Sequence, residues 1–180
     1  RMRVASDDPR RCGYEAAADS AITRASCTAE ATDCLTPAEA KVVDGSWVGP
    51  VACPGGGRDC RIPAVASRDL RGKRPTRMWY GQPRGTDLSA LGGAGPFPVA
   101  IEQPKYWVYF DADWNWQQLD PDNFLAFFRD SVERVGPMMA SDNPDLRAFR
   151  RRGGKLVIWH GWSDQLINAN GSINYYERVM

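Results

Sequence analysis

A chain of 180 residues with 43% hydrophobic and 25% charged side chains has the composition of a globular protein, long enough for one domain, or one domain and a fragment. Its 23 basic and 22 acidic side chains leave a formal charge of +1, so no global field recommends nucleic acid as a partner. No run of 18 apolar residues exists, which excludes a membrane-spanning helix from the sequence.

The first 35 residues are polar and Ala-rich, without helical or strand periodicity. They open on "RMRVASDDPRR", which lacks a charged-then-apolar leader and predicts either a removed leader or structure upstream. Cys27 and Cys34 stand seven apart, as do Cys53 and Cys60 around "PGGGRD". Both spacings suit small disulfide-closed loops, Cys27–Cys34 and Cys53–Cys60, in an oxidising compartment. Metal ligation is the weaker alternative, since neither pair has C-x-x-C spacing and no histidine is near. Cys12 is left over, and the simplest supplier of its partner is polypeptide before Arg1.

A helix is predicted from "TPAEAKVVDGSW", with Thr36 as cap, Pro37 in the first turn and Glu39 closing a capping box. Residues 49–98 are rich in Gly, Pro and Arg and predict an elaborated loop or lid. Within them, "RDLRGKRPTR" (68–77) is a basic run without interleaved aromatics, better suited to a solvated loop than to an anion site. "KYWVYFDADWNW" then packs six aromatics into twelve residues, which fill a small core or line a ligand platform.

"DPDNFLAFFRDSVERV" predicts a helix capped by Asp120, with Pro121 in its first turn and a buried stripe of Phe124, Phe127, Phe128, Val132 and Val135. "NPDLRAFRRRGG" predicts a short helix capped by Asn143, with Leu146 and Phe149 facing inward and Gly153 and Gly154 stopping it. Lys155 to Trp159 is a continuous apolar run of the kind buried on both faces of a parallel sheet. A loop through Asp164 leads to a last helix, "GSINYYERVM", with Ser172 as its cap. Helix, strand, loop and helix in this order make one step of a wound α/β sheet.

Ligands of open α/β sheets collect outside the carboxyl ends of the strands. Asp164 falls just past such an end, where an acid orients a catalytic histidine, or where an aspartate closes a turn on its own backbone. His160 is the chain's one histidine, four residues earlier. A general base or a satisfied core residue both fit that place. Ser163 lacks the G-x-S-x-G elbow that exposes a nucleophile, so the stretch reads as an acid loop without its nucleophile.

"NPDLRAFRRRGGKLVIWHGWSDQLINANGSINYYERVM" (143–180) resembles the tannase and feruloyl esterase family of serine hydrolases, which includes hydrolases of terephthalate monoesters. It joins a D-L-x-x-F helix, a G-G-K-L strand, an H-G-W-x-D loop and a Y-Y-E-R-V helix in order. Upstream, "DDPRRC" and "DCLTPAEAKVV" resemble the family's lid. The resemblance implies a partial α/β-hydrolase fold: residues 1–142 as part of a lid, and residues 143–180 as one strand-helix unit of the core. It implies an esterase for small aromatic or phenolic esters, secreted to an extracellular or periplasmic space.

Of the family's Ser, Asp, His triad, the resemblance carries over only the acid, onto Asp164. The nucleophile belongs to a Cys-Ser-x-Gly-Gly type elbow before the lid and the histidine to a Gly-His-Cys segment after the Y-Y-E-R-V helix; neither segment is in these 180 residues, and the missing remainder of the hydrolase would have to supply both. His160 becomes the support of the acid loop, and the ring-stacking candidates are Trp79, Tyr106, Trp107, Trp114 and Trp116. The resemblance also implies a calcium site formed before Arg1, with no ligand nameable here, and a cysteine next to that site as the partner of Cys12. The alternative from another class is a stand-alone module that binds an aromatic or sugar ligand without catalysis.

Overall fold

The structure, a computed structural model, describes residues 8–53, 76–89, 91–92, 95–120 and 122–180. Most of the basic run and Cys60 lie outside the described residues.

Asp8 starts a turn of 3-10 helix over Pro9–Arg11, taking the Arg10 N–H and guanidinium on its carboxylate. A second such turn, Ala16–Ala18, packs on α1 (Pro37–Val48). Asp44 of α1 accepts the N–H groups of Ala16 at 2.7 Å and Ala17 at 2.9 Å, and Ala16 and Ala40 are buried. Small residues let the two backbones approach, and the Asp44 carboxylate satisfies donors that a three-residue helix cannot. The expected Cys27–Cys34 disulfide is formed in the intervening loop. Cys53 is disulfide-bonded, while Cys12 is a free thiol.

The capping box of α1 is present. The Thr36 hydroxyl accepts the Glu39 N–H at 3.2 Å, and the Glu39 carboxylate accepts the Thr36 N–H at 2.8 Å. Thr36→Ala removes one arm and should cost about 1 kcal/mol. Urea denaturation should show a lowered midpoint at constant slope for the alanine variant and a near-parental midpoint for Thr36→Ser.

Gly49 ends α1 at φ 79°, and the chain turns into β1 (Val51–Ala52), which pairs antiparallel with β2 (Thr76–Arg77). Beyond it, α2 (Pro98–Gln103) widens into a π-helical turn over Pro104–Val108. Pro104 and Val108 are fully buried, and α3 (Phe124–Met139) packs against them with Val135 buried and Arg134 donating to the Val108 carbonyl at 3.1 Å. α4 (Arg147–Arg151) and α5 (Ala169–Val179) complete the elements.

Several expectations need correction. Asp120 is not the residue next to α3: its carboxylate accepts the N–H groups of Asp122 and Asn123, and the helix starts three residues later than expected, at Phe124, after Asn123. The stripe of α3 is only partly buried: Val135 is buried, while Val132 is 55% exposed. Asn143 likewise closes a local turn onto the Asp145 N–H, and Asp145 takes the Arg147 N–H at the helix start. Short Asx side chains satisfy the nearest free N–H, which need not belong to the helix. The helix stop is as expected. Gly153, at φ 76°, donates to the Arg150 carbonyl and Gly154 to that of Phe149, a Schellman closure that a glycine at the left-handed position allows.

The expected strand over Lys155 to Trp159 is not a strand among the described residues. It runs without ladder partners, with Val157 85% and Trp159 89% exposed. A strand exists only through a neighbour that takes its N–H and C=O groups, and the one sheet described is β1–β2. Ser172 is not the cap of α5 either. Asn168 is, accepting the Asn170 N–H at 2.9 Å.

Candidate active site

The loop between the extended run and α5 is built around Asp164. Its Oδ1 accepts the N–H groups of Ile167 at 2.8 Å and Leu166 at 3.0 Å, an Asx turn that fixes the carboxylate before any partner arrives. Its Oδ2 lies 3.3 Å from His160 Nε2. The same nitrogen is 2.9 Å from the Ile167 carbonyl oxygen, and Nδ1 is 2.7 Å from the hydroxyl of Ser172 on the second turn of α5. His160 thus ties the start of the loop to its end and to the helix beyond.

Bonds from the Ile167 N–H and then the Leu166 N–H hold the Asp164 carboxyl below its ordinary value of 3.8, with His160 adding less. A carboxyl depressed in the folded state adds stability above the unfolded value, and that stability is lost as pH falls through the folded one. The Leu166 and Ile167 amides should therefore stay protected through mildly acid pH and begin to exchange faster only below the ordinary aspartate range. Amide exchange followed down a pH series, corrected for intrinsic rates, checks this; loss of protection already at pH about 5 would contradict it.

The loop is seated on the 80s segment and the N-terminal turn. The Asn168 amide donates to the carbonyls of Tyr80 at 3.1 Å and Gly81 at 2.6 Å, and the Gln82 amide donates to the Gln165 carbonyl at 3.1 Å. The Thr86 hydroxyl, nearly buried, reaches the Trp162 carbonyl at 3.5 Å. The Arg10 guanidinium stands 5.6 Å over the Trp162 ring, so the "DDPRR" turn and the "HGWSD" loop meet in space.

Beside the loop opens a cleft of about 940 Å³, lined among others by Trp79, Tyr80, Gln82, Phe124, Ile167 and Tyr175. Of the five aromatic candidates, only Trp79 lines it. Trp114 stacks between Tyr109 and Phe127, with ring centroids 6.0 and 5.8 Å away, as a packing residue. Tyr106, Trp107 and Trp116 are exposed elsewhere. The cleft's other rings, Tyr80, Phe124 and Tyr175, escaped the sequence reading because they come from three separate segments. Ser172, expected only as a helix cap, belongs to the site as well. Its one signal was the position of Gly-Ser ahead of Y-Y-E-R-V.

Ser172, His160 and Asp164 form a Ser–His–Asp line of contacts, yet its geometry is that of a support. Ser172 lies inside a helix rather than on a strained strand-to-helix elbow, and the His160 nitrogen facing the carboxylate is also bonded to a backbone carbonyl. Among the described residues no group of three or more His, Cys, Asp or Glu could hold a metal ion, and no helix is long and apolar enough to cross a membrane.

The family profile of tannase and feruloyl esterase matches residues 4–180. The structure superposes on crystal structures of feruloyl esterase B and of an esterase, both from Aspergillus oryzae. Their TM-scores are 0.68 and 0.67 at 22% identity, over 96% of this chain and 30% and 29% of theirs. The fold is therefore that of a portion of these esterases. This chain belongs to the tannase and feruloyl esterase family. It is 30% identical to feruloyl esterase B of Aspergillus niger over 151 residues, 81% of this chain, and 28% identical to a probable feruloyl esterase B-2 of Aspergillus terreus over 136 residues. It spans 27% and 25% of the length of those two relatives.

Proposed function

We propose that the chain is the acid-bearing part of a secreted serine carboxylic-ester hydrolase for esters of aromatic or phenolic acids. Asp164 is the acid, and His160 holds its loop. Residues 1–142 form part of the lid and residues 143–180 the core segment. A serine of the remaining hydrolase polypeptide attacks the ester carbonyl and passes its proton to a histidine, which hands it to the leaving alcohol; water then releases the acid by the same route. Asp164 accepts the N–H of that histidine and stabilises the imidazolium formed at each transfer. A calcium site in the lid of the complete enzyme, formed before Arg1, is part of the same proposal.

The observation that carries this reading is the Asp164 side chain, 38% exposed and fixed by two backbone N–H groups, in a loop whose next residues line an aromatic cleft. The cleft suits an acyl ring, with Trp79, Tyr80, Phe124 and Tyr175 as stacking surfaces. Secretion is supported by the Cys27–Cys34 disulfide. The test is a hybrid in which residues 4–180 replace the matched segment of the Aspergillus niger feruloyl esterase B. A soluble, cooperatively folded hybrid that hydrolyses methyl ferulate supports the reading. A folded hybrid without hydrolysis, or one indifferent to Asp164→Asn, overturns it.

A further inference from the structure

The two ring nitrogens of His160 face different chemistry. Nε2 meets the Ile167 carbonyl oxygen at 2.9 Å and Asp164 Oδ2 at 3.3 Å. Both are acceptors, so the neutral ring carries its proton on Nε2 and shares it between them. Nδ1 is left with a lone pair, 2.7 Å from Ser172 Oγ. A hydroxyl both donates and accepts, and here it can satisfy Nδ1 only by donating.

We propose that Ser172 is a positioning residue for Asp164: its hydroxyl donates to His160 Nδ1 and fixes the ring so that Nε2–H clasps the acid loop across Asp164 and Ile167. That this loop serves catalysis rests on the function proposed above; the clasp itself does not. The placement follows from the fold. Asn168, bonded to the Tyr80 and Gly81 carbonyls, sets where α5 starts, and four residues later Ser172 points from the helix onto the ring. Without the hydroxyl, Nδ1 loses its donor in a half-buried site lined by Ile158, Trp159, Trp162, Ala169, Ile173 and Tyr176, and the ring is free to turn away. Alanine is a better helix former than serine, so the helix itself is not what Ser172→Ala removes.

The experiment is a long-range ¹H–¹⁵N correlation of the imidazole in the 180-residue chain, recorded where its signals no longer change with pH. The chain has one histidine, so the ring signals are unambiguous. The parent should show a protonated Nε2 and an unprotonated, hydrogen-bonded Nδ1. In Ser172→Ala, Nδ1 should shift to the value of a free acceptor, and the Leu166 and Ile167 amides should exchange about tenfold faster. Ser172→Thr should restore both readouts. Should the alanine chain fail to fold, the equally shaped pair Ser172→Thr and Ser172→Val decides, with only threonine behaving as the parent. A protonated Nδ1 in the parent, or Ser172→Ala (or →Val) leaving both readouts unchanged, overturns the proposal. None of these readouts involves ester hydrolysis, so failure of the proposed function would show separately, as an active Asp164→Asn hybrid.

Discussion

Asp164→Asn in the hybrid enzyme should lower kcat on methyl ferulate by about 10⁴-fold with KM little changed, the loss typical when a triad acid becomes its amide. The physical reason lies in the two oxygens. Oδ1 is already committed to the Leu166 and Ile167 N–H groups and would remain the amide oxygen in the variant. The amide NH₂ then replaces Oδ2, so the position that accepts N–H from an imidazole turns into a donor. Two donors face one another, the catalytic histidine takes the wrong tautomer, and the imidazolium of each transfer loses its counter-charge. The His160 clasp loses one of its two acceptors but keeps the Ile167 carbonyl, and the cleft that would hold the ester is untouched, so the loss falls mainly in kcat. Steady-state kinetics with a circular dichroism control measures it, and a fall of less than about tenfold would remove Asp164 from the reaction.

A large loss of stability is expected where Gly81 meets Gly49. An added Cβ on Gly81 would stand 2.2 Å from the Trp47 carbonyl oxygen and 2.6 Å from the Gly49 nitrogen. The obstruction is backbone on both sides, so no side chain can swing away, and Gly81→Ala should cost about 3 kcal/mol. Gly49→Ala meets the same wall, 2.5 Å from the Gly81 nitrogen, and adds the strain of a left-handed φ. This contact holds the end of α1 against the segment whose carbonyls seat Asn168. The damage should thus reach the acid loop: urea denaturation should show a lowered midpoint, and the α5 amides should lose protection. An alanine variant at Gly81 with parental stability would mean that the two backbones do not touch.

What was legible in the sequence was local. The Thr36 box, the Gly153–Gly154 stop and the Cys27–Cys34 loop each depend on residues within a few positions of one another, and each is present as read. What failed depended on partners. Lys155 to Trp159 has the composition of a buried strand, but composition supplies no neighbour to pair with, and the described residues offer none. Asp120, Asn143 and Ser172 are all good capping residues by type. Each has instead bonded the nearest unsatisfied group, which for Ser172 was a ring twelve residues back.

The site divides the same way. "HGWSD" placed Asp164 and His160 within reach of each other, and the structure brings them together. The cleft, by contrast, draws its rings from around residues 80, 124 and 175, separations at which no pattern in one sequence signals contact. The dense aromatic stretch from 105 to 116 attracted the ligand reading, yet Trp114 packs internally and the rings of Tyr106, Trp107 and Trp116 lie away from the cleft.

The central claim is that these residues supply the acid of a serine esterase whose nucleophile lies in other polypeptide. It is tested most directly by labelling the hybrid with a fluorophosphonate, which reacts with an activated serine, and mapping the modified residue by mass spectrometry. The label should fall on a serine outside residues 4–180, and the reaction should be much slower in Asp164→Asn. A label on Ser172, or a labelling rate indifferent to Asp164→Asn, would contradict it.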